Sequence, residues 1–145
     1  MDWNAELMLA VRVFYSALLG GLIGWERENN DRDAGLRTYM AVAVGSCVFS
    51  IISQQISGDP TRIAAQVVTG MGFIGAGVIL QVRGRVQGLT TAATLWATAA
   101  VGMASAFSMY LLAGLTAILI LGMLSLNNLP GWHRISNKKV DGTKD

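Results

Sequence analysis

At 145 residues the chain is short enough for one compact unit. Only 14% of residues are charged against 52% hydrophobic, which excludes an ordinary soluble domain, where roughly 25% are charged. Cys47 is the single cysteine, so no intrachain disulfide can form.

The charges fall in clusters separated by apolar runs. Residues 7–25 are apolar apart from Arg12, and residues 38–58, 63–82 and 86–133 carry no Asp, Glu, Lys or Arg. About 20 mostly apolar residues suffice for a membrane-crossing helix. The runs therefore predict five spans, at about 7–25, 38–57, 63–82, 88–105 and 109–128. A helix that is apolar all round is deeply buried or in lipid, and so short a chain has too little interior to bury five. The expected fold class is all-α, a polytopic membrane protein. Its transmembrane domain covers 1–130, and a short basic tail covers 131–145. Asp2 and Glu6 precede the first run where a cleavable signal would be basic, so that span is expected to be retained.

Lys and Arg concentrate on the cytoplasmic side of a membrane. With the N-terminus outside, the inside segments hold Arg27, Arg32, Arg37, Arg83, Arg85, Arg134, Lys138, Lys139 and Lys144, and the outside connections hold only Arg62. The C-terminus is therefore expected in the cytoplasm. Trp3 and Tyr110 fall at the outer boundary, and Trp25, Tyr39 and Trp132 at the inner one, as an aromatic belt predicts. Trp96 falls inside the fourth span.

The first cytoplasmic loop, "GWERENNDRDAGLRT" (24–38), is the densest cluster. Its arginines explain orientation; Glu26, Glu28, Asp31 and Asp33 do not, because acids contribute little to it. A shift of 53 residues lays Gly24 on Gly77, Arg32 on Arg85, Gly35 on Gly88, Leu36 on Leu89 and Thr38 on Thr91. That is the pattern of a parallel two-span repeat. Gly20 and Gly24 form a GxxxG pair, and Gly72 and Ala76 a small-xxx-small pair, both suited to close helix packing in lipid. The segment "GMGFIGAG" (70–77) reads either as a packing surface or as a break lining a cavity.

Arg12 is the most costly residue at about 2.5–3.5 kcal/mol for a central arginine, less near a span end. It either snorkels to the headgroups or faces the bundle, pairing with Gln66 or with carbonyls near 70–72. Thr90, Thr94 and Thr98 recur at every fourth position and share one helix face. Each can bond back to the carbonyl four residues earlier, or the stripe can form interhelical bonds or a hydrated path. The second and fourth spans begin at the inner side, where helix N-termini and Arg27, Arg37, Arg83 and Arg85 favour an anion, unless the loop acids neutralise them.

No HExxH, GxSxG, Walker loop or CxxC pair is present, so no enzyme, cofactor or metal site is expected. Nucleic-acid binding is not expected either. The basic tail suits anionic headgroups.

The stretches "GLIGWERE…AGLRT" (21–38), "RIAAQVVTGMGFIGAGVIL" (62–80) and "VQGLTTAATLWATAAVGMA" (86–104), in this order, resemble the MgtC/SapB membrane proteins of bacteria. The resemblance implies an inner-membrane protein linked to growth at low magnesium, acid stress or survival inside host cells. It implies a regulator of another membrane protein rather than a magnesium carrier. The family pattern includes Arg12, Glu26, Arg27, Glu28, Gly35, Leu36, Arg37 and Thr38, and further on Gly72, Gly75, Gly77, Gly88, Leu89, Thr91 and Trp96. In the MgtC-like branch the positions of Thr90 and Ala97 are often Asn and Cys; both differ here. Longer members carry a soluble cytoplasmic domain after the fifth span. This chain stops about fifteen residues past it, so regulation through such a domain is not expected.

The candidate functional residues are thus Arg12, Glu26, Arg27, Glu28, Arg37, Thr38, Gly72, Gly75, Gly77, Thr90, Thr91 and Thr94. The expected partners are the lipid bilayer, another membrane protein and further copies of the chain. The alternative function is a small ion or solute transporter or channel, for magnesium among other ions, motivated by Arg12, the threonine stripe, the glycine-rich third span and the repeat.

Overall fold

A computed structural model describes residues 2–56, 59, 61–82 and 85–126; the predicted tail and the end of the fifth span lie outside them. Five helices run α1 (Trp3–Asn29), α2 (Leu36–Gln55), α3 (Arg62–Val78), α4 (Leu89–Ala106) and α5 (Tyr110–Ser125). Strands β1 (Leu80–Val82) and β2 (Arg85–Gln87) form an antiparallel hairpin between α3 and α4, with Gln81 opposite Val86. The five helices bear out the all-α class, and this short hairpin is the one addition to it among the described residues. It ends α3 at Val78, four residues before the predicted end of the third span. The cause is local: Gly88 sits at φ 84° against the Val78 carbonyl, so chain must fold back beside the end of α3 to enter α4.

α1 and α2 are each long and apolar enough to cross a membrane, and α3 and α5 are shorter apolar helices. The 27 residues of α1 rise about 40 Å, beyond the roughly 30 Å of a hydrocarbon core. The chain leaves α1 through a turn in which the amides of Asn30 and Arg32 bond the Arg27 carbonyl. α2 then starts on a borrowed cap: the Leu36 amide donates to Glu28 Oε2 at 2.8 Å. Before α3, the amide and hydroxyl of Thr61 both donate to Asp59 Oδ1. Those two bonds hold the Asp59 carboxyl below its usual range.

α4 is the hub and packs against each of the other helices, while α1 and α2 form the most extensive pair. The close approaches are made through glycine. A Cβ on Gly20 would lie 2.6 Å from Ala43 Cβ, and one on Gly24 would lie 2.7 Å from Leu36 Cα. A Cβ on Gly102 would strike the Ala43 carbonyl oxygen. Glycine here serves approach rather than flexibility. The segment 70–77 lies within continuous helix, so the break allowed by its glycines does not occur. Gly75 meets Ala92, while Gly70, Gly72 and Gly77 face open space.

Besides an apolar core, the bundle buries hydroxyls and exposes large apolar side chains. Ser16, Ser46, Ser50, Ser53, Thr94, Thr98 and Ser105 are buried, while Phe14, Leu18, Leu22, Phe73, Leu111 and Ile118 are exposed. Most buried hydroxyls are satisfied at short range. Thr98 and Ser105 donate to carbonyls four residues back at 2.8 Å, and Ser16 donates across to the Ala43 carbonyl at 2.8 Å. A surface of large apolar side chains over a core in which most polar groups are hydroxyls bonded to nearby carbonyls suits hydrocarbon as the solvent.

Replacing Gly102 by Ala is expected to destabilise the bundle by about 1–3 kcal/mol through overpacking. Gly72→Ala is expected to leave it unchanged or slightly more stable, because nothing opposes the new methyl group. Equilibrium unfolding in mixed micelles checks the pair; equal effects would show that α3 packs more tightly than its open glycines indicate.

Candidate functional site

Two concavities combine the candidate residues. The first is polar and lies at the end of the bundle where α1 stops and α4 starts. It has a volume of about 530 Å³ and is walled by Glu26, Arg27, Asn30 and Arg32 from α1 and its turn. Val86 to Thr91 contribute from the hairpin and α4, and Met123, Leu124 and Leu126 from the end of α5.

Arg27 is the centre of this site and is only 5% exposed. Its Nη2 donates to Thr91 Oγ1 at 3.3 Å, bridging α1 to α4. Its Nη1 stands 3.9 Å from Glu26 Oε2, beyond hydrogen-bond reach. Asn30 Nδ2 donates to Glu26 Oε1 at 2.9 Å and to the Glu26 carbonyl at 2.8 Å. Two buried atoms are left without partners, Arg27 Nε and Glu26 Oε2. Beside them, α4 opens at Gly88 with no side-chain cap on its first turn. The cavity therefore offers an incompletely paired cation, a carboxylate oxygen, free helix amides and two threonine hydroxyls. Sequence reasoning placed Arg32 only as a topology charge and passed over Asn30.

A second polar bridge lies deeper. The Tyr39 and Thr94 hydroxyls are 2.5 Å apart. Thr94 Oγ1 also lies 2.9 Å from the Thr90 carbonyl and 3.1 Å from that of Thr91. A hydroxyl has one proton, and a carbonyl can only accept. The Thr94 proton is therefore committed to the carbonyls, and Tyr39 is the donor to Thr94. This corrects the belt assignment of Tyr39: it is wholly buried. The face of Tyr39, Ala43 and Ser46 on α2 runs opposite the GxxxG of α1, and that juxtaposition was the available signal.

The second concavity is an apolar groove of about 680 Å³ between α2 and α3. Thr38, Gly45 and Phe49 line it from α2, and Gln66, Gly70 and Phe73 from α3.

The remaining candidates are scattered. Arg12 is at the opposite end of the bundle, where Nη1 donates to the Ala106 carbonyl at 2.9 Å. Gln54 donates to the same carbonyl at 3.2 Å. The bundle-facing alternative thus holds for Arg12, but its partner is the exposed end of α4 rather than Gln66 or residues 70–72. Glu28 is the α2 cap. Arg37 is exposed at the start of α2. Gly72 and Gly77 are open positions on α3, and Gly75 of α3 packs against Ala92 of α4. Thr90 and Thr91 join Glu26 and Arg27 in the polar cavity, while Thr94 belongs to the Tyr39 bridge. Among the described residues, no three His, Cys, Asp or Glu side chains cluster as a metal site would require.

Apolar helices, exposed large apolar side chains and a charged end are features shared with helical membrane proteins. The MgtC family model matches residues 13–129, and the chain belongs to that family. It is 51% identical over 105 residues to Protein MgtC of Brucella abortus, covering 71% of this chain and 44% of that protein. It is 55% identical over 87 residues to Protein MgtC of Salmonella typhimurium, covering 59% and 38%. A YhiD protein of Escherichia coli K12, named as a candidate magnesium transporter, is 46% identical over 110 residues, covering 69% and 51%. The chain spans about half or less of the length of these curated relatives. No solved structure matches it.

Removing the Tyr39 hydroxyl (Tyr39→Phe) or that of Thr94 (Thr94→Val) is expected to cost about 1 kcal/mol each. The double variant is expected to cost less than their sum, because each single change removes the same bond. Strict additivity in unfolding measurements would show that the two hydroxyls do not depend on each other.

Proposed function

We propose that this chain is a non-enzymatic, multi-pass protein of the bacterial inner membrane that regulates another membrane protein by binding it through α2 and α3. In this reading all five helices cross the bilayer, with the N-terminus outside and the C-terminus cytoplasmic. The arginines of the 24–38 loop and of the hairpin then face the cytoplasm, which agrees with the positive-inside rule. The role is tied to magnesium, as the names and family of the relatives support, through adaptation to low magnesium, acid stress or intracellular survival.

The observation that carries the reading is the α2–α3 groove. Gly45, Gly70, Gly72 and Gly77 have nothing within 4 Å of where a Cβ would stand, yet glycine weakens a helix by about 1 kcal/mol relative to alanine. Of these, Gly45 and Gly70 line the groove, and open glycines there suit the close approach of a further transmembrane helix. Arg37 and Thr38 stand at its charged end, where a partner's loop would pass. The second reading, a magnesium or other ion transporter, is supported by the name of the Escherichia coli relative and by the polar cavity.

The test is a mild-detergent pull-down from native membranes at low magnesium, with mass spectrometry of what is retained. A stoichiometric membrane protein is expected, reduced at least tenfold by Gly70→Leu, which fills the groove, and by Arg37→Ala at an exposed position. Retention of this chain alone would overturn the regulator reading. Magnesium flux in liposomes, abolished by Arg12→Leu, would then establish the transporter.

A further inference from the structure

Buried cations in membrane proteins are costly and are normally paired. Arg27 is buried, but its pairing is incomplete. Thr91 takes one nitrogen at 3.3 Å, the Glu26 carboxylate stays 3.9 Å away, and Nε has no acceptor. The same cavity receives Arg32, an exposed cation, and the uncapped first turn of α4. Its ionisable walls are Arg27, Arg32 and Glu26, which leaves a net positive charge. At about 530 Å³ it falls within the roughly 300–1,000 Å³ of small-molecule sites.

We propose that this cavity binds a phosphate group, held by Arg27 and Arg32, by the first amides of α4 and by the hydroxyl of Thr90. Two independent features converge on this ligand. The helix start supplies amides and the positive end of the dipole. The guanidinium supplies planar donors suited to phosphate oxygens. Glu26 faces the guanidinium across 3.9 Å, an ion pair too long for a hydrogen bond, and Asn30 holds its other oxygen. Its free Oε2 lowers affinity for a bare anion and favours a phosphate that carries a proton or an adjacent amine. The apolar wall of Met123, Leu124 and Leu126 and the exposed Trp25 nearby on α1 set the cavity at the level of lipid headgroups. The phosphate then comes either from a phospholipid or from free inorganic phosphate. This site is independent of whether the chain regulates or transports.

The test uses the full chain in a maltoside detergent, with thermal unfolding followed by tryptophan fluorescence. One arm titrates inorganic phosphate against chloride at equal ionic strength. The other titrates a phospholipid against diacylglycerol of the same acyl chains. A saturable rise in unfolding temperature is expected in at least one arm, and the responding arm identifies the source. Arg27 is left in place because it ties α1 to α4. Arg32→Gln and Thr90→Val change exposed groups and are expected to weaken binding about tenfold. Glu26→Gln is expected to tighten binding of inorganic phosphate, or of an anionic phospholipid, because it removes a repelling charge. No rise with either probe would overturn the proposal. So would a response that both Arg32→Gln and Thr90→Val leave unchanged, or a response to inorganic phosphate that Glu26→Gln and Arg32→Gln weaken alike.

Discussion

Gly20, Gly24 and Gly102 set the separation of α1, α2 and α4, and most of what is distinctive in the bundle depends on that separation. Lipid tails are as apolar as leucine, so burying leucine between membrane helices gains little. Attraction must come from backbones close enough for dispersion and for bonds between polar groups. With Ala43 against both Gly20 and Gly102, α2 is clamped between α1 and α4. Only at that distance can Ser16 reach the Ala43 carbonyl, Tyr39 reach Thr94 and Arg27 reach Thr91.

The clamp also explains the uneven stability expected across the molecule. α4 touches every other helix, whereas α3 rests on α4 through Gly75 and on part of α2. Its other glycines are open, and its Phe73 is 84% exposed. A helix so placed can shift against α2 without disturbing the clamp. That is the property wanted in an element that receives a partner helix, and α1 and α2 lack it.

Much of this was legible in the sequence. Apolar runs located all five helices, because length and hydrophobicity alone decide membrane helices. The GxxxG of α1 identified a packing face, since few other uses explain two glycines one turn apart. The limits are equally physical. Hydropathy cannot see the hairpin, because 80–82 continues the uncharged run of α3 and the strands are only three residues long. What forces it is the positive φ at Gly88. Arg12 was recognisable as a bundle-facing cation, but its acceptor, the Ala106 carbonyl, is 94 residues away and is freed only where α4 ends. Tyr39 resembled a belt residue because its position along the span was known and its angular direction was not.

The two halves of the 53-residue echo show how one motif can acquire two uses. Gly35 and Gly88 each precede a leucine that starts a helix. At Gly35 the backbone is extended, and the Glu28 carboxylate caps α2. At Gly88 the backbone is left-handed, and no side chain caps α4. Where Glu28 satisfies the first helix, the second opens onto a cavity in which Arg27 Nε also has no acceptor. Both starts share a sequence signature, but one is closed by the protein's own acid and the other is left open beside two arginines. An unfilled cap next to an incompletely paired cation is costly to maintain in a fold this small. Its neighbour α2 shows that a carboxylate eight residues upstream suffices to close such an end. The open end of α4 is where the proposed phosphate would take the place that the Glu28 carboxylate takes at α2.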